Sequence, residues 1–405
     1  MAAPIQVQSG ADMAAPLELT TRQAHGARAA LVKRLCEIVS WPETRMPSQE
    51  RQLAADILVS LLRTASSDLR RRCALGLVRV QDAPKGLLRY LARDEYQVAE
   101  PLLENGIGFD DSDLIATVRA GVGAHWLAIA RRRGVNEAVT DALVQAGDIG
   151  VIEALLRNTS ARFSAQGIDM IVARSRSAVE LASLLVGRPE VRASQALVMF
   201  WWVGFELRVQ IVRRFAVDRA TLIGDLGDVF ALAAAEGWAD EDTRKALQVV
   251  ERRQRNRAAA QRSPHGSLEG AIAAAEKGMD RALMQEIGHL AGIRPTTAAQ
   301  IFSDPGGEAI GVLCKAVGLK RPMLLALWRA LRRPTGDVAS TDNPLGRAVY
   351  IYDTLATAKA QTVLRYWNWS FTADAVGADR LSLDDVGGET PQARRNAMLL
   401  FNRNG

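Results

Sequence analysis

Cysteine is scarce in this chain: Cys36, Cys73 and Cys314 are the three thiols among 405 residues, and they lie far apart. A disulfide framework needs a denser set, and Cys73 and Cys314 fall in apolar helical patterns where a thiol serves as a small core residue. Long apolar runs are lacking too. The longest uncharged stretch, Ala193 to Phe205, falls well short of the about 20 residues that span a bilayer. No basic segment followed by an apolar one opens the chain, so no secretory signal is read and the expected compartment is the cytoplasm. His25, His125, His265 and His289 show no H-x-x-H or C-x-x-C spacing with each other or with the cysteines, so neither a metal nor a cofactor is implied. Strand-like alternation is absent as well, which points to an all-α chain.

What is present is helix-forming material. Apolar residues make up 48% of the chain and aromatics 5%, and the apolar class is rich in Ala, Leu and Val, which suits close helix packing. Residues 1–26 show no sustained period and are expected to be a mobile leader. From Glu50 two rows at i, i+4 spacing, Leu53-Ile57-Leu61 and Ala54-Leu58-Leu62, predict a helix with one apolar stripe.

Downstream one pattern recurs, an apolar pair followed two residues later by another. It reads Cys73-Ala74-x-x-Leu77-Val78, Val98-Ala99-x-x-Leu102-Leu103, Trp126-Leu127-x-x-Ala130 and Val151-Ile152-x-x-Leu155-Leu156, with first members 25, 28 and 25 residues apart. Partner segments sit between them: Leu87 to Leu91, Leu114 to Val118, Val139 to Leu143 and Ile168 to Val172. A hairpin of two such short helices cannot bury its stripe alone and must stack on its neighbours. Asp68, Asp94 and Asp148 are the expected N-caps, Gly106, Gly134 and Gly147 the expected left-handed C-caps. Longer helices are expected from Ser177, with Ser177-x-x-Glu180 as a capping box, through the aromatic-rich stretch to Phe215.

A second, smaller helical domain is expected after Ser263-Pro264-His265-Gly266, giving boundaries of 27–262 for the repeat domain, 263–372 for the C-terminal domain and 373–405 for a loose tail. The C-terminal domain repeats internally. Ile287, Gly292, Ile293, Arg294 and Ile301-Phe302 recur 26 positions later as Leu313, Gly318, Leu319, Lys320 and Leu327-Trp328, which predicts two tandem helix-turn-helix-like hairpins.

The segments Leu87-Leu88-x-x-Leu91-Ala92-x-Asp94, Val98-Ala99 and Leu102-Leu103-x-Asn105 resemble HEAT-like and leucine-rich-repeat-variant units. From about Ala27 to Trp369, including Asp304-Pro305-Gly306-Gly307 and Leu313-Cys314-x-Ala316-x-Gly318-Leu319, the chain resembles an uncharacterised bacterial domain-of-unknown-function family of such all-helical proteins. The resemblance implies a HEAT-like helical-repeat array (an α-solenoid) with a smaller C-terminal helical domain, in a bacterial cytoplasmic protein. It supplies no catalytic residues.

Each cluster with chemical potential has a plain structural reading beside it. Asp110-Asp111-Ser112-Asp113 has the composition of a shared-proton or cation site, but it lies where a helix starts, so capping by Ser112 or Asp111 accounts for it. Asp304-Pro305-Gly306-Gly307-Glu308 has glycines that suit a phosphate cradle, yet no Lys-Ser/Thr follows and Glu308 repels an anion, so a tight inter-helix turn is expected. With 51 Lys+Arg against 45 Asp+Glu the chain is only mildly basic, and charge is concentrated locally: Arg252, Arg253, Arg255, Arg257 and Arg262 stand against Glu251 alone. Lys320, Arg321, Arg332 and Arg333 give the second hairpin a cationic surface, and Trp367 and Trp369 suit either a packed cap or a docking platform. These residues are the candidate partner-binding set. The sequence-level expectation is a non-enzymatic scaffold or regulator that binds a protein partner through its repeat surface. The alternative is a nucleic-acid-associated regulator using residues 252–262 and the tandem hairpins, although the would-be reading helix from Arg321 holds almost no side chains that read base edges.

Overall fold

The computed structural model describes residues 14–41, 46–121, 123–216 and 260–373, and these are helical with no strand among them. In chain order the helices are α1 (Ala14–Val39), α2 (Ser48–Leu62), α3 (Ser67–Leu77), α4 (Lys85–Ala92), α5 (Tyr96–Asn105), α6 (Asp111–Ala120), α7 (Gly123–Arg131), α8 (Glu137–Ala146), α9 (Ile149–Arg157) and α10 (Ala165–Arg174). They continue as α11 (Glu180–Gly187), α12 (Ala193–Met199), α13 (Phe205–Phe215), α14 (Leu268–Ala275), α15 (Arg281–Leu290), α16 (Pro295–Ser303), α17 (Glu308–Val317), α18 (Arg321–Ala330), α19 (Pro344–Thr354) and α20 (Thr357–Ala373). No helix among the described residues is long and apolar enough to cross a membrane. Contacts divide the chain into two units, Met1–Arg174 and Ser175–Gly405.

In the first unit each helix packs on the helix two places along: α1, α3, α5, α7 and α9 make one row, and α2, α4, α6, α8 and α10 the other. That is the arrangement of stacked hairpins, with α3, α5, α7 and α9 carrying the recurring pairs and α4, α6, α8 and α10 the partner segments. Burial follows the pattern: Cys73, Ala74 and Leu77, Val98, Ala99, Leu102 and Leu103, and Val151, Ile152, Leu155 and Leu156 face the core. The third unit departs from the expected register. In α7 the buried residues are His125, Ala128, Ile129 and Ala130, while Trp126 and Leu127 are not fully buried. His125 fixes this setting, because its Nε2–H donates to the Asp94 carbonyl at 2.8 Å and so turns that position inward.

Several local expectations change. Residues 14–26 belong to α1 rather than to a leader: the segment is rich in good helix formers, and Pro16 falls in the first turn, where a missing N–H costs nothing. The cap of α3 is Ser66, not Asp68, and Asp94 is an ion-pair partner rather than an N-cap, whereas Asp148 caps α9 as expected. Gly134 and Gly147 take positive φ, but Gly106 does not. The N-cap residue of α11 is Val179, not Ser177. α11 begins only at Glu180, and Arg188-Pro189 and residues 200–204 break the expected long helices into three short ones.

The second unit is built around α17, eight of whose residues, Glu308 to Cys314 and Ala316, are buried between α19 and α20. Gly311 lets α19 approach closely, since a Cβ there would lie 2.3 Å from the Ala348 carbonyl oxygen. α20 also packs on α12, with Trp367 fully buried between Phe200 and Trp201 at ring-centroid distances of 4.8 and 4.6 Å. This explains why the contacts divide at Arg174/Ser175 and not at the expected 262/263: residues 180–215 share the core of the C-terminal helices. The duplication is realised as two hairpins, α15–α16 and α17–α18, with Gly292 and Gly318 at φ 73° and 79° and with Arg294 and Lys320 as matching N-caps before α16 and α18.

Candidate functional site

Arg252, Arg253, Arg255 and Arg257 lie outside the described residues. Trp369 lies within α20, and Trp367 belongs to the core, its Nε1–H donating to the Leu197 carbonyl at 3.3 Å. The docking-platform reading of Trp367 is therefore overturned: its ring is enclosed by aromatic neighbours. The remaining basic candidates do not gather into one site. Lys320 and Arg321 are exposed at the start of α18, where Arg321 pairs with Asp353 at 3.5 Å. Arg332 is exposed beyond its far end in the left-handed region, with φ 51°.

Arg333 is a structural residue. It donates to the carbonyls of Phe302 and Asp304, and its guanidinium lies 5.0 Å from the Trp328 ring centroid. Burial holds its pKa below the usual arginine value, while Asp304 and Glu308 oppose that shift. α18 itself turns Leu324, Ala326, Leu327, Trp328 and Ala330 inward and packs on α14, beyond which Glu276 pairs with Arg329 at 2.6 Å. The face left outward holds Arg321, Pro322, Met323, Leu325 and Arg329, a poor set for reading base edges.

The glycine-rich turn before α17 is a closed ionic lock. Arg208, on α13, points Nη1 at Asp304 Oδ1 and Oδ2 (2.8 and 3.0 Å) and at Glu308 Oε2 (2.6 Å), and its Nε donates to the Val203 carbonyl at 3.0 Å. All three charged side chains are buried. Asp304 Oδ2 also accepts the Gly307 and Ala309 N–H groups at 3.0 and 3.4 Å, so the start of α17 already holds an anion, the protein's own carboxylate. The glycines are required by what they cover. A Cβ at Gly306 would meet Glu308 Oε2 at 2.0 Å, and one at Gly307, φ +81°, would meet the Trp328 ring at 2.5 Å. The segment is thus the tight inter-helix turn that its glycines imply. Its cation, Arg208, lies 96 residues before Asp304 and is invisible to sequence reasoning.

The acidic cluster at α6 is likewise committed. Asp110, not Ser112 or Asp111, is the N-cap, accepting the Asp113 N–H at 2.9 Å while Asp113 accepts the Asp110 N–H. Hydrogen bonds from Ser112, the Asp113 N–H and Lys85 hold the Asp110 carboxyl well below the usual carboxylate range. Asp113 is buried and takes Lys85 Nζ at 2.8 Å and Arg89 Nε at 2.7 Å, both from the preceding hairpin. The same repeat-to-repeat spacing recurs along the unit. Arg70 grips Asp94 through Nε and Nη2 at 2.6 and 2.9 Å, Arg132 donates to the carbonyls of Leu103 and Gly106, and Asn158 Nδ2 donates to those of Ala130 and Arg132 at 2.9 and 2.7 Å. Neighbouring hairpins thus satisfy one another's orphan carbonyls and charges.

On α2 only one of the two expected rows is core. Ala54, Leu58 and Leu62 are buried, whereas Leu53 and Ile57 are 63% and 47% exposed, and Leu61 is half-buried. Leu31 on the adjacent α1 is 48% exposed. Leu75, Ile107 and Ile149 of the same unit are exposed to a similar degree, and Leu53 and Ile57 differ from them in lying one turn apart on a single helix. No group of three or more His, Cys, Asp or Glu among the described residues is placed to hold a metal.

The fold and the cross-braced charges define a helical-repeat type of protein. A family model described as an uncharacterised protein conserved in bacteria (DUF2336) matches residues 98–365, well over half of the chain, and the chain belongs to that family. No curated protein matches it. No solved structure matches it.

Proposed function

We propose that this protein is a non-enzymatic scaffold or regulator that binds a protein partner through its helical-repeat surface. The observation that carries the reading is the exposed aliphatic row Leu53-Ile57 on α2, with Leu31 also exposed on α1, which packs on α2, in a unit whose polar and charged clusters are spent on holding hairpins together. Exposed Leu and Ile at i, i+4 form the kind of ridge that a partner's apolar surface covers, and the surrounding array supplies a rigid frame for it. Full burial of two such side chains contributes about 1.5–3 kcal/mol each, enough to decide an interface of moderate size.

The test is affinity capture from bacterial lysate with the full chain and with Leu53→Asp/Ile57→Asp, both first shown by circular dichroism to be equally helical. A reproducible protein partner recovered by the unchanged chain and lost by the double variant supports the reading. Equal recovery by both, or nucleic acid as the sole co-purifying species, overturns it. In the latter case the exposed Lys320, Arg321 and Arg332 become the residues to follow, with binding that weakens steeply as salt rises.

A further inference from the structure

Two of the three thiols, distant in sequence, meet in the fold. Cys36 on α1 and Cys73 on α3 are 37 residues apart, and their Sγ atoms lie 2.7 Å from each other. An ordinary non-bonded carbon contact is about 3.5–4.0 Å and a covalent S–S bond about 2.05 Å, so the pair is already inside normal contact and close to bonding reach. The two sulfurs differ in surroundings. Cys36 is half-buried near the exposed Arg34–Glu37 pair, while Cys73 is buried against the core with Ala74 and Leu77. The hydrogen bond with Cys73 holds the Cys36 thiol below its ordinary value, burial and Glu37 opposing it, and the same bond with burial pushes Cys73 up. The third thiol, Cys314, is fully buried in the second unit.

We infer that Cys36 and Cys73 are a reversible redox site, in which a peroxide oxidises Cys36 and Cys73 resolves it into a disulfide that fastens α1 to α3. The steps balance. The Cys36 thiolate attacks one oxygen of a hydroperoxide, forming S–O as O–O breaks, and the leaving alkoxide or hydroxide takes up a proton. Cys73 then attacks the sulfenic sulfur; S–S forms, S–O breaks, and the hydroxyl leaves as water with the proton from Cys73. Two thiols lose two electrons and the hydroperoxide gains them. An external dithiol reverses the change by exchange, first as a mixed disulfide and then by release of both cysteines as thiols. The order of events follows the exposure: of the two, Cys36 is the one that meets a solvent-borne oxidant, and Cys73 stands behind it as the resolving group. Because α1 packs on both α2 and α3, the bond would clamp the first helix of the stack.

The test uses the full chain, fully reduced and then exposed to a few equivalents of hydrogen peroxide, with free thiols alkylated in denaturant and the mass measured. The reduced chain should take up three alkyl groups and the oxidised chain one. A tryptic digest should contain the Cys36 and Cys73 peptides as one cross-linked species that dithiothreitol splits. Cys314→Ser should keep the cross-link, and amide exchange at the end of α1 should slow several-fold in the oxidised chain. Three alkyl groups after oxidation, a Cys36 that stops at sulfinic acid with Cys73 still free, or a bond joining two separate chains would each overturn the proposal.

Discussion

Replacing Arg208 with Met tests the ionic lock that ties α13 to the start of α17. In the native chain one guanidinium answers two buried carboxylates, through contacts of 2.6–3.0 Å, with its charge centre 4.7 Å from the Phe200 ring centroid. Methionine keeps much of the stem's apolar contact but removes the charge, leaving Asp304 and Glu308 buried beside each other, with Arg333 held by backbone carbonyls. Breaking a buried pair by removing one partner costs about 3–5 kcal/mol, because a desolvated charge is left uncompensated. Here the orphaned charge is double, so the upper part of that range is expected, against a total domain stability of about 5–15 kcal/mol. Urea denaturation followed by Trp fluorescence should read it directly, since Trp328 and Trp367 are buried in the same unit. The companion triple variant, Arg208→Met with Asp304→Asn and Glu308→Gln, removes all three charges while an amide oxygen at position 304 still accepts the α17 N–H groups. It should recover half or more of the loss. A single variant that costs less than about 1 kcal/mol, or a triple variant no better than the single, refutes the reasoning.

The turn glycines give a second contrast. Gly307→Ala combines a left-handed backbone with a Cβ 2.5 Å from the Trp328 ring, so a loss of about 2–4 kcal/mol is expected; Gly318→Ala has φ +79° but nothing within 4 Å, so about 1–2 kcal/mol, and thermal melts should preserve that order. Asn158→Ala leaves the Ala130 and Arg132 carbonyls without their donor and should cost about 1–3 kcal/mol, with faster amide exchange at the end of α7 and in α9. Asp110 has a folded pKa below its unfolded value, so its contribution is present above about pH 4 and is lost as pH falls further. Urea midpoints at about pH 3 and pH 6 should therefore differ less in Asp110→Asn than in the native chain.

The hairpins were legible because each short helix carries its burial pattern in adjacent pairs, and Val98-Ala99-x-x-Leu102-Leu103 is buried as the pattern requires. The register slip at α7 was not legible, since a histidine bonded to a distant carbonyl replaced an aliphatic residue in the wall. Leu53 and Leu58 look alike in sequence, and only the neighbours in the stack decide that one is exposed and the other core. The Gly292 and Gly318 hairpins could be read from a 26-residue duplication because positive-φ turns demand glycine. Arg208 with Asp304, and Cys36 with Cys73, could not be read at all: pairs 96 and 37 residues apart leave no periodic trace. The same holds for the domain boundary, where Ser263-Pro264 looked like a break but Trp367 and Phe200 draw the earlier helices into the later core.

The scaffold reading rests on the α2 ridge, and site-specific photo-crosslinking in living bacterial cells tests it most directly. A photoreactive residue placed at Leu53 or Ile57, with Lys320 and Arg332 as comparison positions, should give a discrete cross-linked protein band from the α2 positions and none from the basic ones. Cross-links confined to Lys320 or Arg332 and sensitive to nuclease, or no cross-link from α2 under any growth condition, would contradict it.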